Sequence, residues 1–184
     1  WTFKREAKYS KHGLVLDTQS GSYAIRFAGM EEIRQADQWF KMNKARNKDE
    51  WLDAMKMRAI ASFNAVYADK EDNIMLLHNT SGPLRNENYD WTKPVDGTDS
   101  KLIWNQITPF EQIPLLVNPS SGWIVSANQD PFRSSAIKDN LNRDDYSPTL
   151  GIETKMTNRA YRVIEIFDND KKFSEKDLLD AKFD

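Results

Sequence analysis

One amide side chain, Asn128, has the surroundings that best suit chemistry in this sequence. It follows a turn-forming run at 118–122 (Asn-Pro-Ser-Ser-Gly) and a β-favouring run at 123–127. This order predicts a turn, a short strand and then an amide at the end of the strand. An N–H of that amide could stabilise the oxyanion that develops during acyl transfer. The alternative is an asparagine that only caps its own turn, and Asn128 alone does not decide between the two.

Other catalytic patterns in the chain are incomplete. Ser135 and Lys138 match the S-x-x-K pattern of serine acyltransfer enzymes, but its K-T-G and S-D-N companions are missing. Neither His12 nor His78 has a second histidine at metal-ligand spacing. The chain has no cysteine, which excludes disulfides, thiolate zinc sites and a cysteine nucleophile. The sequence therefore predicts neither a histidine-based triad nor a zinc site.

The composition is that of a globular protein. With 184 residues, 39% hydrophobic and 29% charged, we expect one domain over 1–184. The net charge of −2 and the lack of a long basic run argue against a nucleic-acid partner. The apolar runs are too short to span a bilayer, so no membrane partner is expected. Several aspartates could suggest a cation site, but their spacing does not fit an EF-hand loop. They are Asp69, Asp72, Asp168 and Asp170.

Strand-like alternation dominates the first third of the chain. The alternation from Phe3 and Arg5 to Tyr9, followed by the runs 13–17 and 23–27, predicts three strands joined by tight turns. Helical spacing predicts four helices further along. They are expected near 35–45, near 48–58 with Asp49 as N-cap, at 158–167, and after Ser174 as N-cap.

A hairpin and a long loop are predicted between these helices. The apolar runs 63–68 and 74–78 flank the polar turn 69–73, which is typical of a β-hairpin. The segment 79–119 is rich in proline and glycine and lacks periodicity, which predicts an ordered loop. The aromatic residues expected to pack it are Trp91, Trp104 and Phe110.

Seven short motifs follow one another along the chain. They are Tyr9-Ser-Lys-His-Gly-Leu-Val, Gln38-Trp-Phe-Lys-Met-Asn with Glu50-Trp51, Phe63-Asn-Ala-Val-Tyr-Ala-Asp with Asn73-Ile74, Gly82-Pro-Leu-Arg, Pro94-Val-Asp-Gly, Pro109-Phe-Glu, and the run from Asn118-Pro to Asn128. In this order and spacing the chain resembles the penicillin amidase (penicillin acylase) family of N-terminal nucleophile hydrolases over nearly its whole length. Two departures are Leu14, where the family usually has proline, and Asp72, where it has glycine.

The resemblance implies a fold and an activity. The fold would be α+β, a portion of a four-layer αββα sandwich with antiparallel sheets. The activity would be hydrolysis of a linear amide, such as a penicillin side chain or an N-acyl homoserine lactone, by an N-terminal serine whose own α-amine is the base. Because residue 1 is Trp1, we expect the chain to be a piece of the β-subunit that is inactive alone and partnered by the remaining α and β segments. Family members are usually exported, which implies a periplasmic or extracellular location.

The resemblance also implies site residues. Asn128 falls on the family's oxyanion-hole asparagine, and Arg162, in Tyr-Arg-Val-Ile-Glu, falls on its active-site arginine. A helix-surface pair between Arg162 and Glu165 or Asp168 is the alternative for the arginine. Phe63 falls on a position that lines the acyl pocket in some members, although it would serve equally well as core.

A metal is the one further group that the resemblance brings in. Asp139 lies at the spacing of a calcium ligand found in some members, but Trp91 replaces a proline that supplies another ligand. We therefore expect no complete metal site in this chain. The chemistry requires no cofactor, and the resemblance leaves a structural calcium in the intact enzyme as an alternative.

A different class of function is a non-catalytic binding domain. In that case exposed aromatic residues would hold a ligand or a partner protein. The aromatics considered are Trp91, Trp104 and Trp123. Scattered aromatics belong more often to a core, and these show no spacing typical of a binding platform.

Overall fold

The computed structural model describes residues 1–2, 4, 6–169 and 172–183. The predictions that involve Phe3, Arg5 and Asp170 therefore lie outside the described residues. Helices and antiparallel sheets alternate along the rest of the chain, which confirms the α+β class. The elements are β1 (Lys8–Ser10), β2 (Gly13–Thr18), β3 (Gly21–Ile25), α1 (Gln35–Lys44), α2 (Lys48–Met55), β4 (Ser62–Ala68), β5 (Ile74–Thr80), β6 (Leu115–Val117), α3 (Asn158–Phe167) and α4 (Glu175–Lys182).

The predicted hairpin is confirmed as β4 and β5, the centre of the larger sheet. All seven residues of β4 pair with β5, from Ser62 opposite Thr80 to Ala68 opposite Ile74. In the turn, Asp69 Oδ1 accepts the backbone N–H groups of Glu71 and Asn73 at 3.0 Å each. Strand β5 lies between β4 and β6. Its residues Met75, Leu76 and Leu77 are fully buried and begin the hydrophobic core.

The third strand of this sheet is not where the sequence predicts it. The prediction of a strand at 123–127 is wrong: this run is a loop, in which Val125 N–H donates to the Ser134 carbonyl at 2.8 Å. Strand β6, inside the segment predicted to be a loop, takes the place beside β5, with Leu116 opposite Leu76. An apolar run indicates that a segment is buried. It does not reveal whether a segment far away in the sequence will pair with it as a strand.

The helices lie close to their predicted positions. In α2, Trp51 and Met55 pack into the core against the β4–β5 sheet. The N-cap is Asn47, not Asp49 as predicted, because Asn47 Oδ1 accepts the Glu50 N–H at 2.9 Å. This helix ends at Met55, before the predicted residue 58, since a turn follows in which Arg58 has a φ of 50°.

The carboxyl-terminal helices confirm their predictions. Thr157 caps α3, and Ser174 and Asp177 form a reciprocal capping box on α4. The amino-terminal strands β1, β2 and β3 form a separate antiparallel sheet, as the alternation predicts, but with other bounds: β1 begins only at Lys8, and β3 covers Gly21–Ile25 where 23–27 was predicted. Across the described residues, the helices fall short of the length and apolar character needed to cross a bilayer.

Candidate active site

A cavity of about 380 Å³ opens between the hairpin and the loop that carries Asn128. Asn128 and Phe63, two of the predicted site residues, line it together. Phe63 comes from β4, whereas Asn128 comes from the loop after the 123–127 run. The other lining residues that matter for its chemistry are Asn64, His78, Gln129 and Thr157.

The backbone on both sides of Asn128 is held by side chains from other elements. Asn128 has a φ of 66°, a left-handed conformation that asparagine tolerates better than most residues. The Ala127 carbonyl before it accepts the Thr157 hydroxyl at 3.2 Å. The Gln129 carbonyl after it accepts Asn64 Nδ2 at 2.9 Å. This turn is therefore fixed from α3 on one side and from β4 on the other.

The side chain of Asn128 is oriented by Arg159. Arg159 Nη2 donates to Asn128 Oδ1 over 2.7 Å. A guanidinium only donates hydrogen bonds, so the amide oxygen must face Arg159. The Asn128 Nδ2 hydrogens are then the groups left to donate, as an oxyanion donor requires.

A buried side chain, Gln129, braces the same loop from inside. Its Oε1 accepts the Ala127 N–H at 2.5 Å, and its Nε2 donates to the Val125 carbonyl at 2.8 Å. These bonds replace the strand ladder that the sequence predicts for this run. The loop that carries Asn128 is thus held by side-chain hydrogen bonds without being a strand.

Two hydrogen bonds link His78 of the hairpin, through Asn64, to the loop that carries Asn128. We call these two bonds the relay. His78 Nδ1 lies 2.8 Å from Asn64 Oδ1. Because Asn64 Nδ2 donates to the Gln129 carbonyl, its Oδ1 is the acceptor and His78 Nδ1 carries the proton. Burial lowers the pKa of His78 to about 4, which keeps the ring neutral at neutral pH. Sequence reasoning considered His78 only for a catalytic triad or a zinc site and missed this contact.

Arg162 lies elsewhere on α3. Its Nη1 donates to Glu165 Oε2 at 3.0 Å, the helix-surface pair named as the alternative. Within the described part of the chain, Arg162 is not among the residues that line the Asn128 cavity. Arg159, which the motif comparison passed over, is the arginine that contacts Asn128. The orienting role of Arg162 stays a prediction.

Asp139 braces a loop in this structure. Its carboxylate accepts the Ser120 hydroxyl at 2.8 Å and the Ser121 N–H at 2.7 Å. Burial would raise the pKa of Asp139, but these bonds outweigh it and lower the pKa to about 2. Among the described residues no three acidic, histidine or cysteine side chains are placed to hold a metal. The Asp139 carboxylate, bound to Ser120 and Ser121, does not form a set of ligands that fits calcium. A calcium site in the intact enzyme stays a prediction.

The aromatic residues of the binding-domain hypothesis are engaged in internal contacts. The guanidinium carbon of Arg85 lies 5.2 Å from the Trp91 ring centroid and 5.6 Å from that of Trp104. The Trp123 ring packs on Phe167 with centroids 6.1 Å apart. The Ser135 hydroxyl of the S-x-x-K pattern is also bound internally, to the Trp123 carbonyl at 2.9 Å. These contacts favour packing over ligand capture, and favour a structural role for Ser135 over a nucleophilic one.

Comparison with known proteins gives one consistent family. Residues 2–184 match the penicillin amidase family. Penicillin G acylase of Escherichia coli is 32% identical over 132 residues, which cover 70% of this chain and 15% of that protein. Acyl-homoserine lactone acylase QuiP of Pseudomonas fluorescens is 30% identical over 139 residues, which cover 68% of this chain and 16% of that protein.

A solved structure agrees. The thermostable penicillin G acylase of Alcaligenes faecalis matches with a TM-score of 0.74 at 25% identity, over 95% of this chain and 30% of that one. The α+β fold is thus a portion of the N-terminal nucleophile hydrolase fold, as the resemblance implies. The chain spans less than a third of each of these relatives. It belongs to the penicillin amidase family, of which it forms a partial region.

Proposed function

We propose that this chain carries the asparagine half of the oxyanion hole of an amidohydrolase that cleaves linear acyl amides. The nucleophile is an N-terminal serine outside residues 1–184, and this chain alone is inactive. The observation that carries the proposal is the Arg159 contact to Asn128 Oδ1, which turns the amide nitrogen of Asn128 into the available donor beside the cavity. The named relatives are acylases, which supports acyl transfer as the reaction class.

The reaction proceeds by acyl transfer in two steps. The serine hydroxyl attacks the amide carbonyl carbon while the serine's α-amine takes its proton. The carbonyl oxygen becomes an oxyanion and accepts a hydrogen bond from Asn128 Nδ2. When the C–N bond breaks, the leaving amine takes the proton from the α-amine. A water molecule then releases the acyl group as a carboxylic acid and restores the serine.

The residues around Asn128 divide the remaining work. The acyl group lies in the cavity against Phe63, and Arg159 keeps the Asn128 amide in one orientation. The relay from His78 through Asn64 holds the following peptide, so that the donor does not have to reorganise when charge develops. Arg162 is proposed as an orienting cation in the assembled enzyme, as its family motif implies.

The substrate class follows the names of the relatives. Penicillin G and acyl-homoserine lactones are the compounds in those names, and we propose an acyl amide of this kind. The partners are the remaining α and β segments of the protein, and the reaction needs no cofactor. A periplasmic or extracellular location is proposed from the family resemblance alone.

The test compares the full-length protein with an Asn128→Ala variant on a chromogenic phenylacetyl amide and a long-chain acyl amide. Loss of one oxyanion donor should lower kcat by about 10² to 10³, with little change in KM. The matched control is Asn43→Ala, an exposed asparagine on α1, which should keep full activity. An unchanged kcat in Asn128→Ala would remove the proposed role. Turnover by residues 1–184 alone would show that the nucleophile lies within them.

A further inference from the structure

His78 lines the Asn128 cavity with a ring nitrogen that the relay does not use. Its Nδ1 carries the proton and donates to Asn64 Oδ1 at 2.8 Å. The other nitrogen of the neutral ring, Nε2, then has a bare lone pair and can only accept a hydrogen bond. Within the part of the chain that the structure describes, no donor contacts it. The cavity therefore contains a hydrogen-bond acceptor that these residues leave unused.

The Nε2 atom of His78 is also accessible. The side-chain atoms of the described residues that are both closed off from solvent and without a hydrogen-bond partner are Arg58 Nη2, Asn79 Oδ1, Ser81 Oγ and Asp130 Oδ2. His78 Nε2 has no partner either, yet it is not one of these closed atoms, so it keeps accessible surface. The imidazole is partly buried, and its exposed part belongs to the cavity lining. A ligand in the cavity can therefore reach this lone pair.

The relay fixes the direction of this lone pair. Asn64 Oδ1 accepts from His78 Nδ1, and the Asn64 amide is itself held because its Nδ2 donates to the Gln129 carbonyl at 2.9 Å. The imidazole therefore loses its Asn64 bond if the ring turns over. Burial lowers the pKa of His78 to about 4, which keeps the ring neutral and the lone pair available at neutral pH. A fixed acceptor of this kind is preorganised for a donor of the ligand.

The cavity thus offers an acceptor from the hairpin and a donor from the loop. His78 Nε2 belongs to β5, and Asn128 Nδ2 belongs to the loop on the other side of the cavity. The two sides are close together, because the single side chain of Asn64 bridges His78 to the peptide that follows Asn128. A secondary amide has the matching groups, since its carbonyl accepts, its N–H donates, and the two point in opposite directions in the trans form. An ester or a tertiary amide lacks the N–H.

We infer that His78 Nε2 accepts the N–H of the scissile amide and thereby selects secondary amides against esters and tertiary amides. The inference rests on the proposed function, which supplies Asn128 as the donor to the carbonyl oxygen. A substrate without the N–H leaves the His78 lone pair unpaired in the closed site, and that cost lowers its binding. The ring takes up no proton in this role. The proton of the leaving amine still comes from the α-amine of the serine.

The first test is calorimetric titration of the full-length protein with two sulfonamides, which acyl transfer does not cleave. N-methyl-phenylmethanesulfonamide has one N–H, and its N,N-dimethyl analogue has none. The N-methyl compound should bind about tenfold more tightly, because only its N–H pairs with the His78 lone pair. His78→Phe should abolish this preference, whereas His12→Phe, which removes a histidine outside this lining, should keep it. Equal affinities of the wild-type protein would overturn the inference, even if His78→Phe does not fold.

The second test separates a substrate contact of His78 from an effect through the relay. The full-length protein is assayed on phenylacetyl 4-nitroanilide, which has the N–H, and on 4-nitrophenyl phenylacetate, the ester without it. Damage to the relay reaches Asn128 and lowers kcat/KM for both substrates, so the measure is the ratio of the anilide value to the ester value. This ratio should fall about tenfold in His78→Phe.

Two variants control the ratio. It should recover in part in His78→Gln, whose amide can donate to Asn64 and accept from the substrate. Asn128→Ala should lower both kcat/KM values and leave their ratio unchanged, because both substrates develop the same oxyanion. Equal losses on the two substrates in His78→Phe would overturn the inference and leave His78 only its role in the relay. If the full-length protein cleaves neither substrate, the proposed function fails, and the sulfonamide titration still decides whether His78 binds an N–H.

Discussion

The neutral His78 at the start of the relay makes the stability of the fold dependent on pH. Its folded-state pKa is about 4, against 6.5 for an unperturbed histidine, and burial is the cause. The unfolded chain therefore binds a proton between these values that the folded protein does not. Stability must rise with pH across this window, be fully present above pH 6.5, and be lost as the pH falls from 6.5 towards 4.

The size of the effect follows from the two pKa values. The full difference corresponds to about 3 kcal/mol, and about 2 kcal/mol of it should be lost between pH 7 and pH 5. Acidic groups contribute at lower pH. The pKa values of Glu32 and Asp139 are lowered to about 2 by their hydrogen bonds, so the stability that they add is lost below about pH 4.5. The interval from pH 7 to 5 therefore reports on His78.

Urea unfolding followed by tryptophan fluorescence at pH 7 and pH 5 measures this difference. His78→Gln keeps a donor for Asn64 but cannot titrate, so the difference should nearly vanish. His12→Gln is the matched control, because it leaves His78 in place and should keep the difference. A His78 imidazole that titrates near 6.5 by NMR would refute the reasoning. So would an unchanged pH dependence in His78→Gln.

Two further predictions concern the loop and the core. Arg159→Gln should lower kcat of the full-length protein by about tenfold, because the Asn128 amide is then free to rotate away from the oxyanion. If only Arg162→Gln lowers kcat in the same assay, the assignment to Arg159 is contradicted. Met75→Ala, at a fully buried position of β5, should lower the free energy of unfolding by about 2–5 kcal/mol in urea. Val66→Ala, at a half-exposed position of β4, should lower it by less than about 1 kcal/mol. Equal losses in the two variants would contradict the burial of Met75.

The elements that the sequence predicts well are those held by local contacts. The β4–β5 hairpin depends on a turn whose bonds run from Asp69 to residues at most four positions away. Asp72 has a φ of 60° at the position where the family has glycine, so the expected backbone is kept despite the substitution. The Ser174 capping box is equally local. Such contacts leave a signature in a short window of sequence.

The elements that the sequence misses depend on distant chain. Strand β6 pairs with β5 although about 40 residues separate them, and the apolar run Leu115–Val117 is too short to be predicted as a strand. The run at 123–127 has the stronger β signal and becomes a loop braced by Gln129. The same holds for the site, because the Arg159–Asn128 and Asn64–Gln129 bonds span 31 and 65 residues. Family likeness located Asn128, but it could not reveal the groups that orient it.

The geometry around Asn128 accounts for how a loop can hold an amide in the fixed orientation that the proposed oxyanion donor needs. An oxyanion donor is effective only if it already points at the oxygen before charge develops. A strand would fix only the backbone of Asn128, through its ladder. Here Thr157 and Asn64 hold the flanking carbonyls, and Arg159 holds the side-chain oxygen as well. The backbone on both sides of Asn128 is thus held, and Arg159 fixes the amide oxygen, so the Nδ2 hydrogens are presented in one orientation.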